Sequence, residues 1–179
     1  MDIALKLNRR LIMEIHEQMH SGEVFGVWKY LSVTKSLLPT YQKLLNHTDE
    51  KDLRKFVEDL IGTMKQEIEQ ADQLLKVNGI GLPPSSPESS TTNSESIPIN
   101  ARFSTSEIAS GLSINIATDL STCSLIMGQS SREDIFEMFN KFHMEKAQYG
   151  ERLLRMNKEK GWIAPPPPLH VTTSEPVDA

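Results

Sequence analysis

A single cysteine, Cys123, occurs among 179 residues. One thiol cannot form a disulfide framework within the chain, which excludes small stapled scaffolds and suits a reducing compartment. Aromatic residues are scarce at 6%, and hydrophobic residues reach 38%. These values are low but still within the globular range. No run of about 18 apolar residues is present, so no membrane span is expected. An excess of positive charge is also missing: 19 Lys and Arg stand against 24 Asp and Glu, for a net charge of -5. That balance argues against nucleic-acid binding, which needs clustered cations to neutralise phosphates. The opening MDIALKLNRR lacks the order and cleavage site of a secretory signal. Strand-length alternation of Val, Ile and Thr is absent, as are Asn-Gly hairpin signals. Gly-rich phosphate loops are missing too, and no Ser or Cys has a sequence-evident base beside it.

What remains has helical spacing. Ile3, Leu7, Leu11, Ile15 and Met19 fall in one arc, predicting an N-terminal helix over 3–20. A first helical hairpin is expected over 22–78, its helices at about 22–46 and 49–78. A second is expected over 104–161, with helices at 104–129 and 131–160. Ser104 with Glu107, and Ser130 with Glu133, fit capping boxes. Pro39 should kink the first hairpin's leading helix. The stretch 79–103 is rich in Ser, Thr, Pro and Asn and reads as an exposed connector. Residues 1–164 are thus read as one helical-bundle domain, followed by a Pro-rich polar tail over 165–179.

The two hairpins repeat. A shift of 82 positions places Asp52 on Asp134, Gln66 on Gln148, Glu69 on Glu151 and Lys76 on Lys158. The same shift places Gly79 on Gly161 and Pro83-Pro84 on Pro165-Pro166. Glycine beyond a helix end accepts the left-handed conformation, and proline after it prevents continuation. A pseudo-two-fold axis would follow, with Leu60 and Phe142 meeting near it. Two hairpins joined by a long connector suggest a four-helix bundle with one crossover. Helices of about 39 Å and a connector reaching about 80 Å when extended are compatible with that path. The second and third bundle helices would run parallel, the ferritin-like arrangement.

The run from Ala101 to Pro168 resembles the ferritin-like, spore-coat-like domain of endospore-forming bacteria, the spore coat protein F-like group. The features that carry this are Ser106-Glu107-Ile108 at a helix start, the helix that follows, and Gly161-Trp162-Ile163 ahead of prolines. The similarity covers roughly residues 21–168. It implies a cytoplasmic or spore-associated helical bundle without established chemistry.

Two candidate sites stand out. His16, Glu17 and His20 in HEQMH match H-E-x-x-H, the helical motif of zinc hydrolases. On the helical wheel both histidines lie just outside the apolar arc, and Glu17 lies opposite it. A metal-activated water needs a shaped, partly dry cavity, so this motif reads as a decoy on a solvated face. The second candidate is internal. Glu67, Asp119 and Glu145 fall on or beside apolar stripes. A di-metal bundle wants Glu-x-x-His on two helices, and here Glu17-x-x-His20 is the one instance. A structural network with Lys146, and with Lys35 or Tyr41 as partners, is therefore favoured over a metal or small-ligand pocket. The aromatics read as core, and Cys123 as a buried, inert thiol.

The sequence thus points to a non-enzymatic ferritin-like bundle with a structural or interaction role. Its expected partners are itself or other spore-associated proteins, and no cofactor is expected. The alternatives are a metal- or small-ligand-binding bundle using interior carboxylates and, more weakly, a zinc hydrolase acting through HEQMH.

Overall fold

The computed structural model describes residues 17–85, 97–98 and 101–163. Among them are four helices and no strand: α1 (Ser21–Leu44), α2 (Lys51–Val77), α3 (Thr105–Gln129) and α4 (Glu133–Lys160). The fold is all-α. Residues 1–16, most of the connector and the tail from 164 lie outside the described residues, and most of the expected N-terminal helix lies with them.

α1, α2 and α3 each begin where a side chain accepts from free N–H groups of the first turn. Ser104 accepts from the Glu107 N–H, and Glu107 Oε2 accepts from the Ser104 N–H at 2.7 Å, as the capping-box pattern predicts. The Glu50 carboxylate caps α2 by accepting from the Leu53 N–H. Two expectations fail. The helix over 3–20 does not reach 20: residues 17–20 are not helical, and His20 is extended at φ -78°, ψ 164°. His20 is the N-cap of α1, a position that demands non-helical backbone. Likewise Ser130 and Glu133 form no capping box. The N-cap of α4 is Arg132, with no cap from its own side chain, and Ser130 Oγ donates back to the Ile126 carbonyl.

Both hairpins end alike. Gly79 and Gly161 have φ of 71° and 69°, the left-handed region open to glycine. The residue after each closes a six-residue loop: Ile80 N–H donates to the Leu75 carbonyl and Trp162 N–H to the Asn157 carbonyl. Such endings satisfy the last carbonyls of a helix. Pro39 is accommodated inside α1.

α1 packs on α2, and α3 on α4; α1 also meets α3, and α2 meets α4. The ends show the directions. His20 at the start of α1 reaches the Gln129 carbonyl at the end of α3, and His47 beyond α1 meets Phe103 before α3. Lys160 at the end of α4 pairs with Glu50 at the start of α2. Every packed pair is therefore antiparallel, while α2 and α3 run parallel across the long connection.

The apolar core falls into two clusters. One gathers Leu38, Phe56, Leu60, Met64, Leu112, Ile116 and Leu153 near one end. The other gathers Leu31, Ala71, Cys123, Ile135, Phe139 and Phe142 near the opposite end. Leu60 and Phe142 thus belong to different clusters and do not meet at a central axis. All four helices change cluster at one level, and the side chains found there are polar.

Candidate functional site: a charged layer inside the bundle

On α2 the inward positions run Leu60, Met64, Glu67, Ala71, Leu75. Four-residue and three-residue steps put all of them on one face, so Glu67 occupies a core position and is 0% exposed. On α4 the corresponding run is Phe139, Phe142, Lys146, Leu153, and Lys146 is 1% exposed. On α3, Asp119 lies between Ile116 and Cys123, three-quarters buried at its side chain. From α1, Tyr30 reaches the layer with its hydroxyl.

These groups form one network. Lys146 Nζ lies 2.9 Å from Glu67 Oε2 and 3.7 Å from Asp119 Oδ2. The Tyr30 hydroxyl donates to the same Glu67 oxygen at 3.0 Å. Tyr30 is in turn held by Phe139 and Phe142, with ring centroids 5.1 and 5.8 Å away. Glu67 Oε1 is buried and has no hydrogen-bond partner. One carboxylate oxygen therefore takes both donors, and a proton on the other would break neither bond.

The electrostatics follow from burial. Desolvation pushes the Glu67 carboxyl above its ordinary value, against the opposing pull of Lys146 and Tyr30. It raises Asp119 as well, again against Lys146. Tyr30 is raised by burial and by the Glu67 charge, so it stays a hydrogen-bond donor. Burial, with the Glu67 and Asp119 charges, pushes the Cys123 thiol up to about 12. A thiol in that state is not a nucleophile.

The layer unites two of the three carboxylates singled out in the sequence. Glu145 is not brought in; it is half-buried on the flank of α4, and its neighbour Lys146 takes the inward position. Neither suggested partner serves as expected. Lys35 pairs with Asp72 at 2.8 Å and donates to the Pro83 carbonyl, tying down the start of the connector. Tyr41 bonds to Asn115, and burial raises its hydroxyl to about 12. Sequence reasoning missed Tyr30, which had been placed among the core aromatics. The available signal was that a buried Tyr hydroxyl must find a partner, and Tyr30 lies on the inward face of α1.

The HEQMH stretch serves the fold at one end of the bundle. His16 lies outside the described residues. Glu17 is exposed, and its backbone carbonyl accepts from Arg132 Nη1. The His20 ring accepts at Nδ1 from the Gly22 and Glu23 N–H groups, and Nε2 contacts the Gln129 carbonyl at 3.2 Å. An accepting Nδ1 leaves the proton on Nε2, so both ring nitrogens are engaged. A Cβ on Gly22 would lie 2.8 Å from the His20 ring, which explains the glycine.

Beside it sits a group that the sequence did not flag. Glu23, 2% exposed, accepts at Oε2 from the His20 N–H. Its Oε1 accepts from the Ser131 and Arg132 N–H groups and from Ser131 Oγ. One carboxylate therefore caps both α1 and α4. Burial would raise its pKa, but the backbone hydrogen bonds outweigh that and lower it. Arg132 forks onto Asp134 and bonds to Asn78. The surface depressions between α2 and α4, one beside Lys55 and Arg152 and one beside Leu74 and Met138, lie on the outer side of the bundle.

A metal centre of the ferritin type does not fit this donor set. Among the described residues no group of three or more His, Cys, Asp or Glu converges. Where such bundles bring carboxylates and histidines to an ion, this one brings the Lys146 ammonium.

Residues 11–174 match the model of a protein family described as Protein of unknown function (DUF3231). The chain belongs to this family. The "Uncharacterized protein YvdQ" of Bacillus subtilis (strain 168) is 46% identical over 155 residues, covering 87% of this chain and 91% of its own. A crystal structure from Bacillus halodurans C-125, titled a "putative spore coat protein", is 45% identical with a TM-score of 0.82. It covers 86% of this chain and 96% of its own. A conserved hypothetical protein of Mycobacterium tuberculosis shares the fold at 10% identity and a TM-score of 0.61, covering 78% of this chain and 99% of its own. Among the described residues no helix is long and apolar enough to cross a membrane.

Proposed function

We propose that this chain is a non-enzymatic, ferritin-like bundle with a structural or interaction role in the spore. The observation that supports this is the position of Lys146. Its ammonium lies between Glu67 and Asp119 and supplies from the chain itself the positive charge that a bound metal would otherwise supply. A buried acid–base network of this kind serves to fix the register of the helices. Spore association draws on the description of the Bacillus halodurans relative and on the resemblance to spore coat protein F-like domains. The partners would be further copies of the chain or other spore-associated proteins.

Two other readings lose ground on specific contacts. A metal- or ligand-binding interior would have to displace Lys146 from Glu67. A zinc hydrolase at HEQMH would have to free both nitrogens of His20 and undo the cap of α1.

The test is localisation in a sporulating host. A chromosomally tagged chain should partition into the coat extract of purified spores. A Glu67→Met/Lys146→Met chain that remains folded should partition in the same way, because the network is structural. Recovery of the wild-type chain from vegetative cell extract alone would overturn the spore role. Loss of a sporulation phenotype in the folded double variant would overturn the structural role of the network.

A further inference from the structure

The outward face of α3 carries no charge. From Ile108 to Gln129 the one Asp, Glu, Lys, Arg or His is Asp119, and it turns inward to Lys146. By contrast, the outward side of α2 carries exposed Lys51, Lys55, Glu58 and Lys65, as a solvated helix face ordinarily does. Along α3 the exposed positions Gly111, Ile114, Thr118, Ser121, Leu125 and Gly128 follow alternating steps of three and four. That is the spacing of a coiled-coil seam. Ile114 is 67% exposed and Leu125 58%, so nothing among the described residues covers the seam.

Three features point to what does. The Thr118 and Ser121 hydroxyls donate back to the carbonyls of Ile114 and Ala117. Their polar atoms are thus satisfied, and the seam offers carbon to a neighbour. Among the described residues, Gly111 and Gly128 have no atom within 4 Å of where a Cβ would stand. Glycine inside a helix is less favourable than Ala, and among the described residues no contact requires it at Gly111. Glycine on a seam does allow a second helix to approach closely.

The third feature is symmetry. The seam is a palindrome about the midpoint of 119 and 120: Gly111 mirrors Gly128, Ile114 mirrors Leu125, and Thr118 mirrors Ser121. A two-fold axis through that point lays α3 antiparallel on its own copy. Ile114 then meets the other copy's Leu125, and glycine meets glycine. An isologous contact requires this kind of self-complementarity.

We infer that the outward face of α3 is a self-association surface, which pairs antiparallel with α3 of a second copy about an axis near Asp119 and Leu120. The inference uses none of the buried residues that support the structural reading. Its strength follows from its size. Eighteen residues of helix span about 27 Å, and a strip about 15 Å wide covers about 400 Å² per partner. That is about half of what a stable interface buries on each side, so the pairing is reversible and concentration-dependent.

Sedimentation equilibrium on the full-length chain tests it. The mass should rise from monomer toward dimer over roughly 1–500 µM. Leu125→Glu should weaken dimerisation by about tenfold or more, with an unchanged far-UV spectrum. Ile114→Lys combined with Leu125→Glu should restore it, because each new lysine faces a new glutamate across the axis. A wild-type monomer at every concentration would overturn the inference. If in that monomer Leu125→Glu also opened residues 1–16 to protease, the N-terminal segment would be the occupant instead. A dimer indifferent to Leu125→Glu, or a double variant without rescue, would equally overturn it.

Discussion

Replacing Lys146 with Met removes the one cation of the interior layer and keeps most of the side-chain volume. At an effective dielectric of about 20, the attraction of Lys146 to Glu67 at 2.9 Å is about 6 kcal/mol, and to Asp119 at 3.7 Å about 4 kcal/mol. Most of that offsets the cost of taking the three groups out of water. Without the lysine, Glu67 escapes by taking up a proton. From its ordinary value of 4.5, protonation at pH 7 costs about 3.4 kcal/mol at 1.36 kcal/mol per unit. Lys146→Met should therefore destabilise the protein by about 3–4 kcal/mol at pH 7. The pH dependence is the sharper signature. Glu67 in the variant has a folded pKa far above its unfolded one, so its neutral form favours the native state. That contribution is full below 4.5 and is lost as pH rises through the folded value. The deficit against wild type should shrink as pH falls from 7, by at most about 1.4 kcal/mol per unit, and by less once pH reaches the raised value of Glu67 in wild type itself. Adding Glu67→Met should bring stability back to within about 1–2 kcal/mol of wild type and remove the slope. Urea denaturation of the three chains at pH 5, 6 and 7 measures this. A deficit below about 1 kcal/mol, or one flat with pH, would refute the reasoning.

Glu23→Gln should cost about 1–3 kcal/mol, because a carboxylate capping two helices loses charge-assisted bonds. The Glu23 pKa is lowered from 4.5, so its stabilisation is present above that value and lost on acidification; acid titration of the variant should be shallower there. His20→Ala should cost about 0.5–2 kcal/mol in thermal or urea denaturation as a lost N-cap, whereas Glu17→Gln should change stability by less than about 0.5 kcal/mol, since only the Glu17 carbonyl is used. Cys123 should react with a thiol reagent at pH 7 only when urea unfolds the chain; fast labelling of native protein would show that its burial is wrong.

The four helices were legible because their apolar spacing, glycine stops and the Ser104 cap are local signals. The charged layer was legible in part for the same reason: Glu67 and Asp119 interrupt apolar stripes at one level. Which group answers them was not, because Glu145 and Lys146 stand about 100° apart, on either side of one apolar stripe, and only packing decides which turns inward. Tyr30 was hidden by a double identity, its ring in the core and its hydroxyl in the network. The His20–Glu23 capping box is local but was hidden because His is an uncommon N-cap, and the reach of Glu23 to Ser131 and Arg132 is tertiary. A carboxylate on α1 closing α4 leaves no sequence pattern, and the local Ser130–Glu133 pattern pointed elsewhere.

The Lys146 ammonium supplies, between Glu67 and Asp119, the positive charge that a bound metal would otherwise supply. Elemental analysis of chain purified without a histidine tag, after growth with added iron, zinc and manganese, tests it most directly. The account predicts far less than one ion of any transition metal per chain, with no change on Glu67→Gln. One ion per chain that Glu67→Gln or Asp119→Asn removes would contradict it.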